Sequence, residues 1–138
     1  MKHQRNNKIR VAAVAVAALL ATLLAACGAS SKPSYREITA DEAAQMLQEE
    51  TGFVLLDVRT QEEYASGHIP GAICIPNETI GTEEIAQLPD RKQLILVYCR
   101  SGNRSKQAAE KLVQLGYTNI VEFGGINAWT GDTVSGEE

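Results

Sequence analysis

One stretch constrains the fold more than any other: Leu94-Ile95-Leu96-Val97-Tyr98-Cys99-Arg100-Ser101-Gly102-Asn103-Arg104-Ser105. The run Leu94 to Val97 is apolar without alternation, the pattern of a strand buried on both faces of a parallel sheet. A polar loop with one glycine follows the thiol, and Lys106 to Leu115 reads as a helix stopped by Gly116. In parallel sheets, ligands bind beyond the carboxyl ends of the strands, and Cys99 stands at such an end. The loop leads into a helix N-terminus, where free N–H groups and the helix dipole favour anions. Gly102 can take positive φ and turn successive N–H groups inward. Arg100 and Arg104 add full positive charges.

A thiol in that position is expected to ionise readily. Free cysteine, with a pKa of about 8.5, is only about 3% thiolate at pH 7. A drop of about two units, within the range for cysteines near helix N-termini and arginines, makes it mostly thiolate. Cys99 is thereby a candidate nucleophile aimed at an anionic substrate. The plain alternative is an inert buried cysteine serving as a small hydrophobe.

The rest of the chain alternates strands with helices, which implies an α/β fold with a mainly parallel sheet. Tyr35 to Ile38 reads as a first strand, and Thr39 with Glu42 as a capping box opening a helix that Gly52 ends. Phe53 to Val58 is a second buried strand. Thr60 and Glu63 form another capping box, for a short helix stopped by Gly67. Ala72 to Ile75 is a short strand closed by Pro76, Thr82 to Leu88 a helix capped by Thr82, and Asn119 to Phe123 a last strand broken by Gly124-Gly125. Ile126 to Thr130 is expected to make one helical turn, and residues 132–138 a disordered tail.

The ends of the chain differ in charge. The net charge of −4 conceals four of the 13 basic residues (Lys2, Arg5, Lys8 and Arg10) within 1–26, where no acid stands. The remainder carries nine bases against 17 acids, a balance of −8 that argues against nucleic acid as a partner. Val11 to Ala26 is apolar apart from Thr22; as a helix these residues span about 24 Å, short of the roughly 30 Å hydrocarbon core. A basic segment, a short apolar run and small residues after it describe a secretory signal over 1–26. Leu24-Ala25-Ala26-Cys27 resembles the lipobox of bacterial lipoproteins. That resemblance implies cleavage before Cys27, lipid on its sulfur, and anchoring to a cell membrane on the extracytoplasmic side. Residues 27–34, small and polar, read as a lipidated flexible tether before a domain over 35–131.

Five ordered motifs carry a second resemblance: Asp57-Val58-Arg59, Glu63-Tyr64, Gly67-His68-Ile69-Pro70-Gly71-Ala72, Cys99 to Ser105, and Gly124-Gly125-Ile126 with Trp129. Together they resemble the rhodanese-like sulfurtransferases, over about Tyr35 to Trp129 and as a single-domain member. The resemblance implies a five-stranded sheet of order 1-5-4-2-3 flanked by helices. It implies Cys99 as the catalytic nucleophile and Arg100, Ser101, Gly102, Asn103, Arg104 and Ser105 as the substrate-binding loop, with both arginines on the sulfonate of a donor such as thiosulfate. The intermediate is a covalent Cys99 persulfide, and a thiol or cyanide accepts the sulfur. No metal or organic cofactor is expected, and the expected form is a monomer. The loop sets four residues between Cys99 and Arg104, where tyrosine phosphatases have five, which favours sulfur over phosphatase or arsenate-reductase chemistry. A persulfide carrier with little turnover of its own needs the same loop, whereas an inactive interaction domain does not.

Asp57 and Arg59 follow a strand end on the same rim; Asp57 is expected to brace the loops, and Arg59 either lines the site or pairs with Glu62 or Glu63. His68, in a turn-forming segment, is expected to be structural. Cys74 departs from the family pattern. The implied strand order separates it from Cys99 by about two strand spacings, roughly 9–10 Å. That distance forbids a direct bridge without backbone movement.

Overall fold

The computed structural model describes residues 34–136. The expected signal segment, the lipobox-like residues with Cys27 and most of the expected tether lie outside the described residues. Within them five parallel strands form one sheet: β1 (Arg36–Glu37), β2 (Val54–Asp57), β3 (Ala72–Cys74), β4 (Ile95–Cys99) and β5 (Ile120–Gly125). Their order is β1-β5-β4-β2-β3, as expected. Three helices pack on it: α1 (Ala40–Glu49), α2 (Gln61–Ser66) and α3 (Asn103–Gln114). Among the described residues no helix is long and apolar enough to cross a membrane.

Both capping boxes form. Thr39 and Glu42 exchange side-chain and backbone hydrogen bonds at the start of α1, and Thr60 and Glu63 do so at α2. Each satisfies donors that a helix end otherwise leaves open.

The strands divide the core in two. Leu56, Val58, Ile95, Val97, Cys99 and Ile120 pack with Ala108, Ala109 and Leu112 of α3. Leu55, Leu96, Tyr98, Val121 and Phe123 face the other way, against Ala40 and Ala43 of α1 and Tyr64 of α2. Alternation along β4 therefore puts Cys99 on the α3 face and Tyr98 on the opposite one.

Four expectations need correction. The helix after the central loop starts at Asn103, not Lys106, because Gly102 at φ 111° turns the chain directly into it and the Gly102 carbonyl accepts the Lys106 N–H. Arg104 and Ser105 are thus first-turn residues. Thr82 to Leu88 is irregular. Seven residues with only Ile85, Ala86 and Leu88 apolar, cut off by Pro89, are too few to hold a helix; a 3-10 turn at Asn77–Thr79 stands nearby instead. Gly124-Gly125 does not break β5, which runs through both. The pairing of β4 with β5 slips between Val97–Glu122 and Cys99–Gly125, so β5 carries one extra residue, and Gly124 at φ 82° absorbs the bulge.

The fourth concerns the tail. His68 and Val134 exchange backbone hydrogen bonds at 2.8 and 2.9 Å, and the Gly136 N–H donates to the Ala65 carbonyl at 2.9 Å. Composition misses this, because the contact is made by backbone rather than by side-chain type. At about 0.5–1.5 kcal/mol per bond, less the entropy of ordering the segment, a chain ending at Gly131 should lose about 1–3 kcal/mol in urea denaturation. An unchanged midpoint would show that the tail contributes nothing.

Candidate active site

Cys99 ends β4 with 1% of its surface exposed. Its Sγ accepts the Gly102 N–H at 3.1 Å and lies 3.4 Å from the Ser105 hydroxyl. Burial pushes the thiol's pKa up. The Ser105 hydroxyl and the N–H groups of Ser105, Gly102 and Ser101 outweigh it, and the net shift is downward from 9.0. Hydrogen bonds to the ionised form favour it, and a helix first turn supplies unbonded N–H groups. Enclosure and acidification thus occur together, and the cup is built from main chain and the Ser105 hydroxyl.

The loop rests on β5 by backbone contact. A Cβ on Gly125 would lie 2.0 Å from the Arg100 carbonyl oxygen, so no larger residue fits. The Asn127 N–H donates to that same oxygen at 3.2 Å. Gly102 also passes close to Gly124.

The arginines part company. Arg104 makes two hydrogen bonds to Glu63 of α2, at 2.7 and 2.9 Å, with both side chains about a quarter to a third exposed. Arg100 is exposed and makes no side-chain ion pair among the described residues. Ser101 and Asn103 are exposed, whereas Gly102 and Ser105 are buried.

On the rim Arg59 pairs with Asp57 and not with Glu62 or Glu63. Asp57, fully buried, accepts the Arg59 N–H at 2.9 Å and its guanidinium at 2.7–3.1 Å. Arg59 also donates to the Gly67 carbonyl at 2.7 Å and lies over the Tyr98 ring. A two-residue spacing across the strand end lets the guanidinium fold back onto the carboxylate. Desolvation of both then makes this the pairing to satisfy.

His68 is structural: buried, its Nδ1 2.9 Å from the Tyr64 carbonyl and its ring stacked on Tyr64. Cys74 packs against the core on the α1 face, opposite to Cys99, with β2 between their strands. Burial pushes its thiol up to about 11. Two contacts of the loop escaped the sequence reading. Glu63 was visible as a cap, in the Glu63-Tyr64 motif and as a partner for Arg59, but not as the partner of Arg104. Glu122, 2% exposed, accepts hydrogen bonds from the Ser105 hydroxyl and from the Gly124 N–H. A carboxylate within an apolar strand was the available signal.

A buried, acidified thiol at the carboxyl end of a parallel strand, cupped by a helix first turn, defines a class of cysteine-loop α/β domains. The rhodanese-like domain family matches residues 39–132. Thiosulfate sulfurtransferase PspE of Escherichia coli (strain K12) is 38% identical over 71 residues, 51% of this chain and 68% of that protein. A sulfurtransferase of Allochromatium vinosum is 37% identical over 94 residues, 67% of this chain and 86% of that protein. Among solved structures, a rhodanese with anions from E. coli has 38% identity and a TM-score of 0.55, over 60% of this chain and 98% of that one. A rhodanese-like domain protein from Staphylococcus aureus has 36% identity and a TM-score of 0.60, over 70% and 92%. The chain belongs to the rhodanese-like domain family, and it is an enzyme of the sulfurtransferase type.

The Glu63–Arg104 pair has a pH signature. The guanidinium of Arg104, with the Thr60 cap, holds the Glu63 carboxyl at about 2, down from 4.5. A folded-state pKa below the unfolded one gives stability that is present above the unfolded value and lost as pH falls through the folded one. Glu63→Gln should therefore flatten part of the acid sensitivity between pH 4.5 and about 2, followed by Trp129 fluorescence. An acid profile identical to that of the unaltered chain would mean that the pair adds no stability.

Proposed function

We propose that Cys99 is the nucleophile of a thiosulfate-type sulfurtransferase and carries the sulfur as a persulfide. The observation that supports this best is the convergence of loop N–H groups on Sγ, with the thiol acidified despite burial. The Cys99 thiolate attacks the outer sulfur of thiosulfate. The bond from that sulfur to the sulfonate breaks, and its electron pair leaves with sulfite. The outer sulfur keeps one negative charge as Cys99–S–S⁻. Cyanide or a thiolate then attacks that sulfur, and Cys99 leaves as thiolate. Two displacements of this kind predict ping-pong kinetics, and the loop N–H groups oppose the developing charge as an oxyanion hole does.

The donor's sulfonate is met by Arg100, exposed and unpaired among the described side chains. Arg104 adds charge nearby, but its fork is occupied by Glu63 and its main effect is to hold the loop. With Cys99 only 1% exposed, contact with the donor requires the loop to yield at its mouth. A slim terminal sulfur suits that opening better than a tetrahedral phosphate. The reading extends to location: Leu24-Ala25-Ala26-Cys27 supports a lipid-anchored enzyme on the outer side of a cell membrane.

Sulfite release from thiosulfate with cyanide as acceptor tests the reaction. Cys99→Ser should abolish turnover while circular dichroism stays unchanged. A single stoichiometric burst without turnover, with several acceptors, would replace the enzyme by a carrier. Arg100→Ala should raise KM for thiosulfate by on the order of tenfold, the loss of a charged hydrogen bond of about 1.5 kcal/mol. An unchanged KM would remove Arg100 from donor binding. Mass spectrometry of the protein isolated from its native membrane should show lipid on Cys27 and one extra sulfur on Cys99. A bare Cys27 thiol would defeat the anchoring.

A further inference from the structure

Glu122 is a buried carboxylate that sulfur transfer as described above does not use. It projects from β5 onto the α3 face, where its Oε1 takes the Ser105 hydroxyl and the Gly124 N–H. Ser105 in turn stands 3.4 Å from Cys99 Sγ. Sulfur, hydroxyl and carboxylate thus form one continuous chain closed off from water, with Cys99 at 1%, Ser105 at 0% and Glu122 at 2% exposure. The Gly124 contact explains why a carboxylate can sit there, since the bulge leaves that N–H outside the ladder. It does not explain the Ser105 contact. A hydroxyl has one proton, and Ser105 also has the Gly102 and Gly124 carbonyls within reach at 3.0 and 3.1 Å.

We propose that Glu122 is a positioning residue that holds the proton of Cys99, acting through Ser105. In the resting form the Cys99 S–H donates to Ser105 Oγ, and the Ser105 O–H donates to Glu122. On activation the Cys99 proton passes to Ser105 Oγ while the Ser105 proton passes to Glu122 Oε1. The S–H electron pair stays on sulfur. Thiol plus carboxylate becomes thiolate plus carboxylic acid, and no other reactant is consumed. Ser105 then donates to the thiolate and accepts from Glu122.

Charge favours this exchange over loss of the proton to solvent. A buried thiolate beside a buried carboxylate would be two like charges in a region of low dielectric, which strongly disfavours the second ionisation. Passing the proton along the chain keeps one negative charge behind the loop in both forms. The other charged and titratable groups around Glu122 are Glu37, opposite it on β1, Lys106 on α3, whose Nζ is bound to Glu37, and Tyr35 before β1. The Lys106–Glu37 pair is about half exposed and nearly neutral in sum, so it leaves the Glu122–Cys99 coupling in place.

The inference rests on Cys99 being the working thiol, and its test uses no sulfur donor, so failure of sulfur transfer and failure of the relay are told apart. Two acids sharing one proton titrate in two macroscopic steps that belong to the pair. In the full chain, the rate of iodoacetamide alkylation at Cys99, read on its own peptide by mass spectrometry, should rise with pH in two steps separated by a plateau. Glu122→Gln keeps an acceptor for the Gly124 N–H but cannot take a proton, and Ser105→Ala cuts the chain; each should give a single step. Ser105→Thr should restore the two. A Glu122→Gln profile that overlays the two-step profile of the unaltered protein would overturn the proposal. If both variants fail to fold, the unaltered protein decides. The carboxyl carbon of Glu122 in a labelled sample should shift in the same two steps as Cys99, and a carboxyl signal that does not move with Cys99 overturns the relay.

Discussion

The site depends on one contact of bare backbone against bare backbone. Gly125 lies so close to the Arg100 carbonyl that even a methyl group would collide with it. That approach seats the loop on the end of β5. It also follows from the bulge, because the extra residue on β5 brings Gly125, rather than Gly124, opposite Cys99. The bulge has a cost, an N–H at Gly124 that the ladder no longer satisfies. Glu122 accepts it, and an unpaired buried donor there would cost about 1–3 kcal/mol. One local irregularity therefore sets the height of the loop above the sheet and the place of the only described carboxylate that reaches Ser105.

Two ion pairs hold the surrounding rim, and they differ in kind. Asp57–Arg59 is almost wholly buried and is saturated with hydrogen bonds. Removing one partner from such a pair leaves an uncompensated charge, at about 3–5 kcal/mol. It joins the end of β2 to the turn after α2 and supports Tyr98 from above, so it is part of the fold. Glu63–Arg104 is partly open to solvent, where a pair is worth about 0–1 kcal/mol. Its value lies in direction. Glu63 is pinned at its own helix start by Thr60, so a fixed carboxylate on α2 sets the azimuth of Arg104 and, through it, the first turn of α3.

What was legible in the sequence follows from which interactions are local. The unalternating run at β4, the two capping boxes and the helix stops at Gly67 and Gly116 are written within a few residues, and all formed as read. Asp57 and Arg59, two apart at a strand end, could be placed on the rim, but not their mutual pairing, which depends on burial at Tyr98. Glu122 could be seen as a charge in an apolar strand. Its partner Ser105 is 17 positions away and is reached only because β5 bulges. The tail failed for a related reason: the strand-like bridge of Val134 to His68 is made by groups that every residue carries. Thr82 to Leu88 failed in the opposite direction, a local cap signal with too little apolar face behind it.

Acidification of Cys99 is achieved with neutral donors, and this has a physical consequence. Its causes are a hydroxyl and backbone N–H groups, with neither loop arginine among the leading ones. Arg104 is neutralised by Glu63, and Arg100 points to solvent. Were the thiolate held by exposed guanidinium charge, salt at physiological strength, with a screening length of about 8 Å, would weaken it. Dipoles in contact with the sulfur are not screened in that way, and they need no counter-charge of their own to be desolvated. The domain can therefore carry an acidic surface, a balance of −8 beyond residue 26, and still keep an acidified thiol at its centre. Long-range charge and short-range stabilisation are handled by different groups, which leaves Arg100 free to recruit an anion without setting the acidity of the thiol that meets it.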